Sequence, residues 1–153
     1  MQAVIVAGGM GTRINKNREV MPKPLYFVDD KCMIEHVILN LKSTGISEFV
    51  IVVGFMADKI AKKLGDGSSY GVSIRYVMTP FFDKPLGLSL LLIEEFVKGE
   101  FILAMSDHLM KPEAIQRIVD FPLDKDACAL LTDKKISDIF WLDDAAKVKL
   151  NGH

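Results

Sequence analysis

The stretch Ala3-Val4-Ile5-Val6-Ala7-Gly8-Gly9-Met10-Gly11-Thr12-Arg13 decides the fold class of this 153-residue chain. Its first five residues are apolar without a break, so the period of two that marks a half-solvated strand is missing. A strand of that kind is dry on both faces, and such strands belong to parallel sheets covered by helices above and below. The run stops at Gly8-Gly9. Three glycines in four positions accept left-handed backbone, and without a Cβ they let N–H groups approach a base or phosphate oxygens closely. In open parallel sheets ligands bind beyond the carboxyl ends of the strands, where this loop has to lie.

The same grammar continues outward. Phe49-Val50-Ile51-Val52-Val53 predicts a second buried strand and Phe101-Ile102-Leu103-Ala104-Met105 another, while Val72–Val77 alternates as a half-buried one. Helical stripes separate them. Met33, Ile34, Val37, Ile38 and Leu41 share one face, with Gly45 placed as a C-cap. Ala57–Leu64 predicts a helix with Ile60, Ala61 and Leu64 inward and Lys59, Lys62 and Lys63 outward. Leu88–Val97 is apolar nearly all round at first, which predicts a central helix. Pro112 opens a last helix, with Ile115, Ile118 and Val119 inward. Ala127–Leu131 and Ala146–Leu150 predict further strands. Alternating strands and helices with dry strands give an α/β fold, three layers deep, on a mainly parallel sheet. Asn151-Gly152 is the commonest hairpin turn, yet only His153 follows it. The sequence therefore reads as a single domain over residues 1–153, ending either in a disordered tail or, as favoured, cut in mid-hairpin.

Composition narrows the function. Half the residues are AVILMFWYC, a quarter are charged, and mean hydropathy is +0.24. That suffices for one core and excludes a disordered chain. Nineteen Lys+Arg against twenty Asp+Glu leave a net charge of −1 and a pI near 6.3, so no positive field exists to hold a nucleic acid. The apolar runs fall far short of the roughly 20 residues that span a bilayer. The first residues show no basic region and no cleavage site, so a cytoplasmic, soluble domain is expected. Cys32 and Cys128 lack metal-ligand spacing, which disfavours zinc and a disulfide framework.

Four features carry the chemistry. The glycine loop is one, with Arg13 adding a fork of donors suited to phosphate. It is not a Walker A loop, because Gly11 leads into Thr12-Arg13 rather than Lys-Ser/Thr. It is not a dinucleotide fingerprint either, since position 14 is Ile14 and no acidic residue follows a second strand about 20 residues on. The second feature is Met21-Pro22-Lys23-Pro24-Leu25. Prolines on both sides of Lys23 restrict the backbone and aim its ammonium, which suits a phosphoryl oxygen gaining charge. Third, Asp107 ends an apolar strand on the same sheet edge, where a carboxylate can hold Mg²⁺ between phosphates. Fourth, Pro85-Leu86-Gly87-Leu88-Ser89 enters a helix. Gly87 there admits a planar base, or the segment is a plain turn with Ser89 as a cap. His108 reads as an exposed loop residue and His36 as a partly exposed helical one.

Taken together, Ala7–Arg13, Pro22–Leu25, Phe49–Gly54, Pro85–Gly87 and Ser106-Asp107 resemble the sugar-1-phosphate nucleotidyltransferase family, over nearly the whole chain. Gly87–Leu91 and Ser106–His108 look most like the inositol-1-phosphate cytidylyltransferases. The resemblance implies a Rossmann-like nucleotidyltransferase fold. It implies that the backbone of Ala7, Gly8, Gly9, Gly11 and Thr12 cradles the nucleotide, and that Gly87 and Leu88 face the base. Arg13 would contact the β- and γ-phosphates, Lys23 the α-phosphate and the incoming phosphate, and Asp107 the Mg²⁺ ion. The implied reaction moves a nucleoside monophosphate from a triphosphate, CTP favoured, to a sugar- or polyol-1-phosphate, inositol 1-phosphate favoured. Pyrophosphate leaves. No general base is required, because the attacking phosphate is already ionised, and catalysis reduces to alignment and charge neutralisation.

Two departures stand out. Ser106 replaces the family's usual glycine, and no segment after Asp107 supplies the family's second acidic metal ligand; Asp143-Asp144 precedes the Ala145–Leu150 run, which is the wrong place. The family also continues with strands this chain lacks. A non-catalytic nucleotide-binding module on the same fold is the alternative reading. On oligomeric state the sequence is silent.

Overall fold

Strand β1, Gln2–Ala7, is buried from Ala3 through Ala7, as its unbroken apolar run requires. It sits at the centre of a four-stranded parallel sheet in a computed structural model that describes residues 1–11, 21–81, 86–133 and 148. After β1 come a short hairpin of β2 (Phe27–Val28) and β3 (Lys31–Cys32), helix α1 (Met33–Lys42), strand β4 (Glu48–Val53) and helix α2 (Ala57–Leu64). Strand β5 (Ser73–Met78), helix α3 (Leu86–Leu91), strand β6 (Phe101–Met105) and helix α4 (Pro112–Val119) complete the order.

The sheet order is β5-β4-β1-β6. The chain moves outward from β1 to β4 and β5, then returns to lay β6 against the other side of β1, with Val4 beside Leu103 and Val6 beside Met105. The order therefore reverses between β1 and β6, the point at which open α/β sheets leave a crevice at their carboxyl ends.

Two cores result. On one face, Ala3, Ile5 and Ala7 of β1 and Phe49, Ile51 and Val53 of β4 pack under Ile34, Val37, Ile38 and Leu41 of α1, Ile60 and Leu64 of α2, and Ile115 of α4. On the other, Val4, Val50, Val52 and Val77 lie under Ile93, flanked by Leu90, Leu92, Phe96 and Val97. This is the three-layer α/β architecture that dry central strands demand.

Several expectations are corrected. Strand β6 is buried on one face alone, since Phe101 and Leu103 are about 40% exposed on the other. Its composition is apolar on both sides, but β6 is an edge strand among the described residues, and the core formed with Leu90, Ile93 and the residues after α3 lies over β1, β4 and β5 rather than β6. The helix expected over Leu88–Val97 shrinks to Leu86–Leu91, and Leu91 is 68% exposed, so α3 is not central. A stretch apolar nearly all round at its start carries no clear period there to fix either helix length or the inward face. Ala127–Leu131 forms no strand and leaves Leu130 exposed. In α2, Ala57 rather than Ala61 joins Ile60 and Leu64 in the core. Gly45 lies two residues past Ser43, which caps α1, and adopts φ +89 with its N–H on the Lys42 carbonyl. The Ala146–Leu150 run, apart from the exposed Val148, and the Asn151-Gly152 turn lie outside the described residues, as do Asp143 and Asp144. No helix among the described residues is long and apolar enough to cross a membrane.

Candidate active site

Gly8 follows β1 directly and fits where other residues do not. A Cβ built there meets the Thr79 methyl at 2.8 Å, and the Gly8 carbonyl accepts the Phe55 N–H at 3.2 Å. Gly9 is exposed with open space around it. Gly11 is constrained twice: its φ is +61, and a Cβ would stand 2.9 Å from the Cβ of Lys23. Gly11→Ala is thus expected to destabilise the fold by about 1–2 kcal/mol from its backbone conformation alone, with the contact to Lys23 adding to that. Thermal denaturation measures it, and an unchanged Tm would contradict the tight packing of loop on lysine.

Lys23 opens a short 3-10 turn, Lys23–Leu25, whose entry is fixed by Pro22 and whose second residue is Pro24. The turn closes with the Tyr26 N–H on the Lys23 carbonyl at 3.0 Å and is anchored by the buried Leu25. The β2–β3 hairpin follows, turning at Asp29 with φ +56, and the Met33 N–H returns to the Tyr26 carbonyl at 3.0 Å. With strands of two residues each, this hairpin has no periodicity to read, and the sequence reading missed it.

The chain comes back to the same edge through β6. The Ser106 N–H donates to the Val6 carbonyl at 3.1 Å, extending the β1–β6 ladder by one residue, and Ser106 is buried. Asp107 comes next, and its Oδ2 accepts the Lys23 ammonium across 84 residues of sequence. The two side chains keep 29% and 25% of their exposure. Burial alone pushes the Asp107 carboxyl up, but the bond and charge of Lys23 more than offset this and hold it below the usual range. His108 is 65% exposed, with Nε2 4.0 Å from Asp107 Oδ1. Asn40 of α1 donates to the Met110 carbonyl at 2.9 Å and ties down the loop beyond.

Of the residues expected at the site, Gly11, Lys23 and Asp107 are brought together at the crevice between β1 and β6. Ala7 and Gly8 are buried at the end of β1, leaving Gly9 to Gly11 as the open rim. Gly87 and Leu88 are exposed in the first turn of α3. Their connection to the glycine loop runs through a buried pair that the sequence reading did not single out. Thr79 Oγ1 and Ser89 Oγ lie 2.9 Å apart, Thr79 Oγ1 also accepts the Phe81 N–H at 3.1 Å, and the Thr79 methyl fills the space beside Gly8. Ser89 was read as a cap or a turn residue; it is instead the anchor of α3. A threonine ending an alternating strand gives no sequence signal of such a role. Thr12 and Arg13 lie outside the described residues.

A magnesium ion suits this donor set. Mg²⁺ is usually held by one or two carboxylates together with substrate phosphates, rather than by an all-protein cage. Asp107 offers one partly exposed carboxylate, and no cluster of three or more His, Cys, Asp or Glu exists among the described residues.

Comparison with known proteins identifies the family. The family model described as nucleotidyl transferase matches residues 2–137. The nucleotidyltransferase Agl11 of low-salt glycan biosynthesis in Haloferax volcanii is 31% identical over 125 residues, covering 79% of this chain and 34% of that protein. A bifunctional IPC transferase and DIPP synthase of Archaeoglobus fulgidus is 37% identical over 119 residues, covering 78% and 23%. The structure of the inositol-1-phosphate CTP transferase from T. maritima superposes with a TM-score of 0.66 at 27% identity, over 75% of this chain and 46% of that one. The chain spans about a third or less of the length of these curated relatives. A parallel sheet whose order reverses beside a glycine loop, with a lysine and an aspartate meeting there, thus coincides with a family match over most of the sequence, and the chain belongs to the nucleotidyl transferase family.

Proposed function

We propose that the crevice between β1 and β6 binds a nucleoside triphosphate and transfers its nucleoside monophosphate to a sugar- or polyol-1-phosphate. The observation that carries this reading is the meeting of Gly11, Lys23 and Asp107 at the sheet's reversal point. CTP and inositol 1-phosphate are the favoured pair, supported by the similarity to the T. maritima transferase and the Archaeoglobus fulgidus bifunctional protein.

The residues divide the work simply. The glycine rim presents backbone N–H groups to the phosphates, with no side chain at Gly9 to hold them off. Lys23 places one positive charge where both the α-phosphate and the incoming phosphate have to sit, relieving repulsion between two anions. A phosphate oxygen of the acceptor forms the new bond to the α-phosphorus as the bond to pyrophosphate breaks, and no proton has to move. Asp107 is the residue that would hold Mg²⁺, whose chemistry here is neutralisation of charge spread over the phosphates. The Thr79–Ser89 pair fixes the start of α3 relative to Gly8 and so sets the width available to the base.

Thermal-shift screening of CTP, UTP, GTP, ATP and dTTP with Mg²⁺ tests the reading. A triphosphate at a hundred times its Kd is expected to add about 2.7 kcal/mol, or roughly 5–10 °C in Tm for a chain of this size. Pyrophosphate release with inositol 1-phosphate and with hexose 1-phosphates then identifies the acceptor. If no triphosphate at millimolar concentration moves Tm, the proposal fails. Binding without turnover would instead point to a nucleotide-binding module without catalysis.

A further inference from the structure

We infer that Lys23 is the resident counter-ion of Asp107 and bars divalent cations from it until an anionic ligand draws the ammonium away. This rests on the reading of the crevice as a polyphosphate site. The observation behind it is that the two residues assigned to different parts of the ligand, lysine to phosphate and aspartate to metal, are bonded to each other in the free protein.

The geometry makes the two cations rivals. Lys23 Nζ sits on Asp107 Oδ2, and the His108 ring lies 4.0 Å from Oδ1. A divalent ion approaching Asp107 meets a positive charge already in contact with its carboxylate, and no group of three or more His, Cys, Asp or Glu surrounds it among the described residues. The pair is about three-quarters shielded from water, which weakens screening of that repulsion. A hard cation with a single protein oxygen to bind gains too little to displace the ammonium.

Lys23 is built to exchange partners. Its stem is held, since Pro22 and Pro24 flank it and its Cβ packs against Gly11, while its ammonium end retains solvent access. A polyphosphate lying along the exposed Gly9–Gly11 rim would come close to Lys23, which packs on Gly11, and offers oxygens of higher charge than one carboxylate. When the ammonium moves to phosphate, Asp107 is released with its negative charge uncompensated, beside the phosphates that supply the remaining ligands of a metal ion. Metal and nucleotide affinities are then coupled with positive sign, and by linkage each raises the other equally. The arrangement also keeps free divalent cations from occupying the site without nucleotide.

Mn²⁺ titration of the intact chain without nucleotide, with free Mn²⁺ read by electron paramagnetic resonance, tests this apart from any activity. Wild type is expected to bind weakly. Lys23→Met or Lys23→Gln is expected to bind at least about tenfold more tightly, Lys23→Arg to stay near wild type, and Lys23→Met with Asp107→Asn to lose the gain. Lys111→Met removes an exposed cation four residues from Asp107 and is expected to change affinity less than twofold. Equal Mn²⁺ affinity in wild type and both neutral Lys23 variants would overturn the inference. So would a gain that survives Asp107→Asn, or one that Lys111→Met reproduces. Circular dichroism melts establish that each variant is folded, and two neutral replacements of Lys23 guard against a failure of either. Because nucleotide is absent, the result stands whichever way the thermal-shift screen falls: a Lys23-dependent gain with no triphosphate binding would overturn the proposed function and leave the counter-ion in place.

Discussion

Lys23→Ala is expected to lower nucleotidyl transfer by about a hundred- to a thousand-fold, the range seen when a group stabilising transition-state charge is removed. The fold should hardly notice. The Lys23–Asp107 pair is partly exposed and joined by one contact, and such pairs contribute roughly 0–1 kcal/mol. A single-turnover measurement of pyrophosphate release, set beside a melting curve, separates the two effects. If charge is placed on the transition state rather than on the ground state, kcat and kcat/KM fall together and KM stays level. Retention of more than a tenth of the wild-type rate would remove Lys23 from the machinery. A loss of activity matched by a collapse of Tm would reassign it to folding.

The largest effect on stability is expected at Glu35, a buried carboxylate outside the site. Its Oε2 accepts the Cys32 N–H at 2.9 Å at the start of α1, while Oε1 accepts from the Tyr70 hydroxyl at 2.8 Å and from Lys63 Nζ at 2.9 Å. Burial raises its pKa, but the Cys32 thiol and N–H, Lys63 and Tyr70 together outweigh that and bring it from 4.5 to about 2. Burial and the same carboxylate push the Cys32 thiol up to about 11, and Tyr70 also rises. Glu35→Ala removes the acceptor for all of them and is expected to cost about 2–4 kcal/mol, the sum of a lost helix cap and of donors left unpaired. The pH dependence has a definite sign. A carboxylate lowered on folding stabilises the native state fully above its unfolded pKa of 4.5, and the contribution drains away as pH falls towards 2. Its size is at most roughly 3 kcal/mol. Urea unfolding at pH 7 and pH 3 should therefore show a smaller difference in Glu35→Gln than in wild type. An equal difference in both would show that the network does not set acid sensitivity.

This network also reaches the hairpin that follows Lys23. Glu35 binds the N-terminus of α1, Lys63 at the end of α2 and the Ser68–Tyr70 turn into one knot, and Lys63 lies 6.0 Å from the Phe27 ring on the hairpin that follows Lys23. None of it was legible beforehand. A glutamate in the first turn of a helix reads as a solvated, dipole-matching residue, and its partners lie 28 and 35 residues away.

What was legible follows from the same physics. The unbroken apolar runs Ala3–Ala7 and Phe49–Val53 admit one environment, so β1 and β4 were placed within a residue at each end. Ala57–Leu64, with lysines on one side and Ile60 and Leu64 on the other, gave α2 its limits. Lys23 between its two prolines and Asp107 at a strand end were each weak signals alone, and the structure brings the two together. Phe101–Met105 gave β6 its limits but not its exposed face, and Leu88–Val97, apolar at first, misled on helix length, because composition does not say which face a neighbour will cover. The Thr79–Ser89 pair and the bond between Lys23 and Asp107 join residues that are near only once the sheet is wound.

That winding has a consequence for how the protein comes into being. β1 pairs with β6 at Gln2 and Phe101, about a hundred positions apart, and closing so large a loop is slow and costly in chain entropy. Until the ribosome has released the sixth strand and it has docked, the loop, the lysine and the aspartate are strangers, and a half-made chain has nothing with which to grip a nucleotide. If the crevice binds a triphosphate as proposed, a ligand that takes only the closed sheet would favour that long-range pairing by mass action.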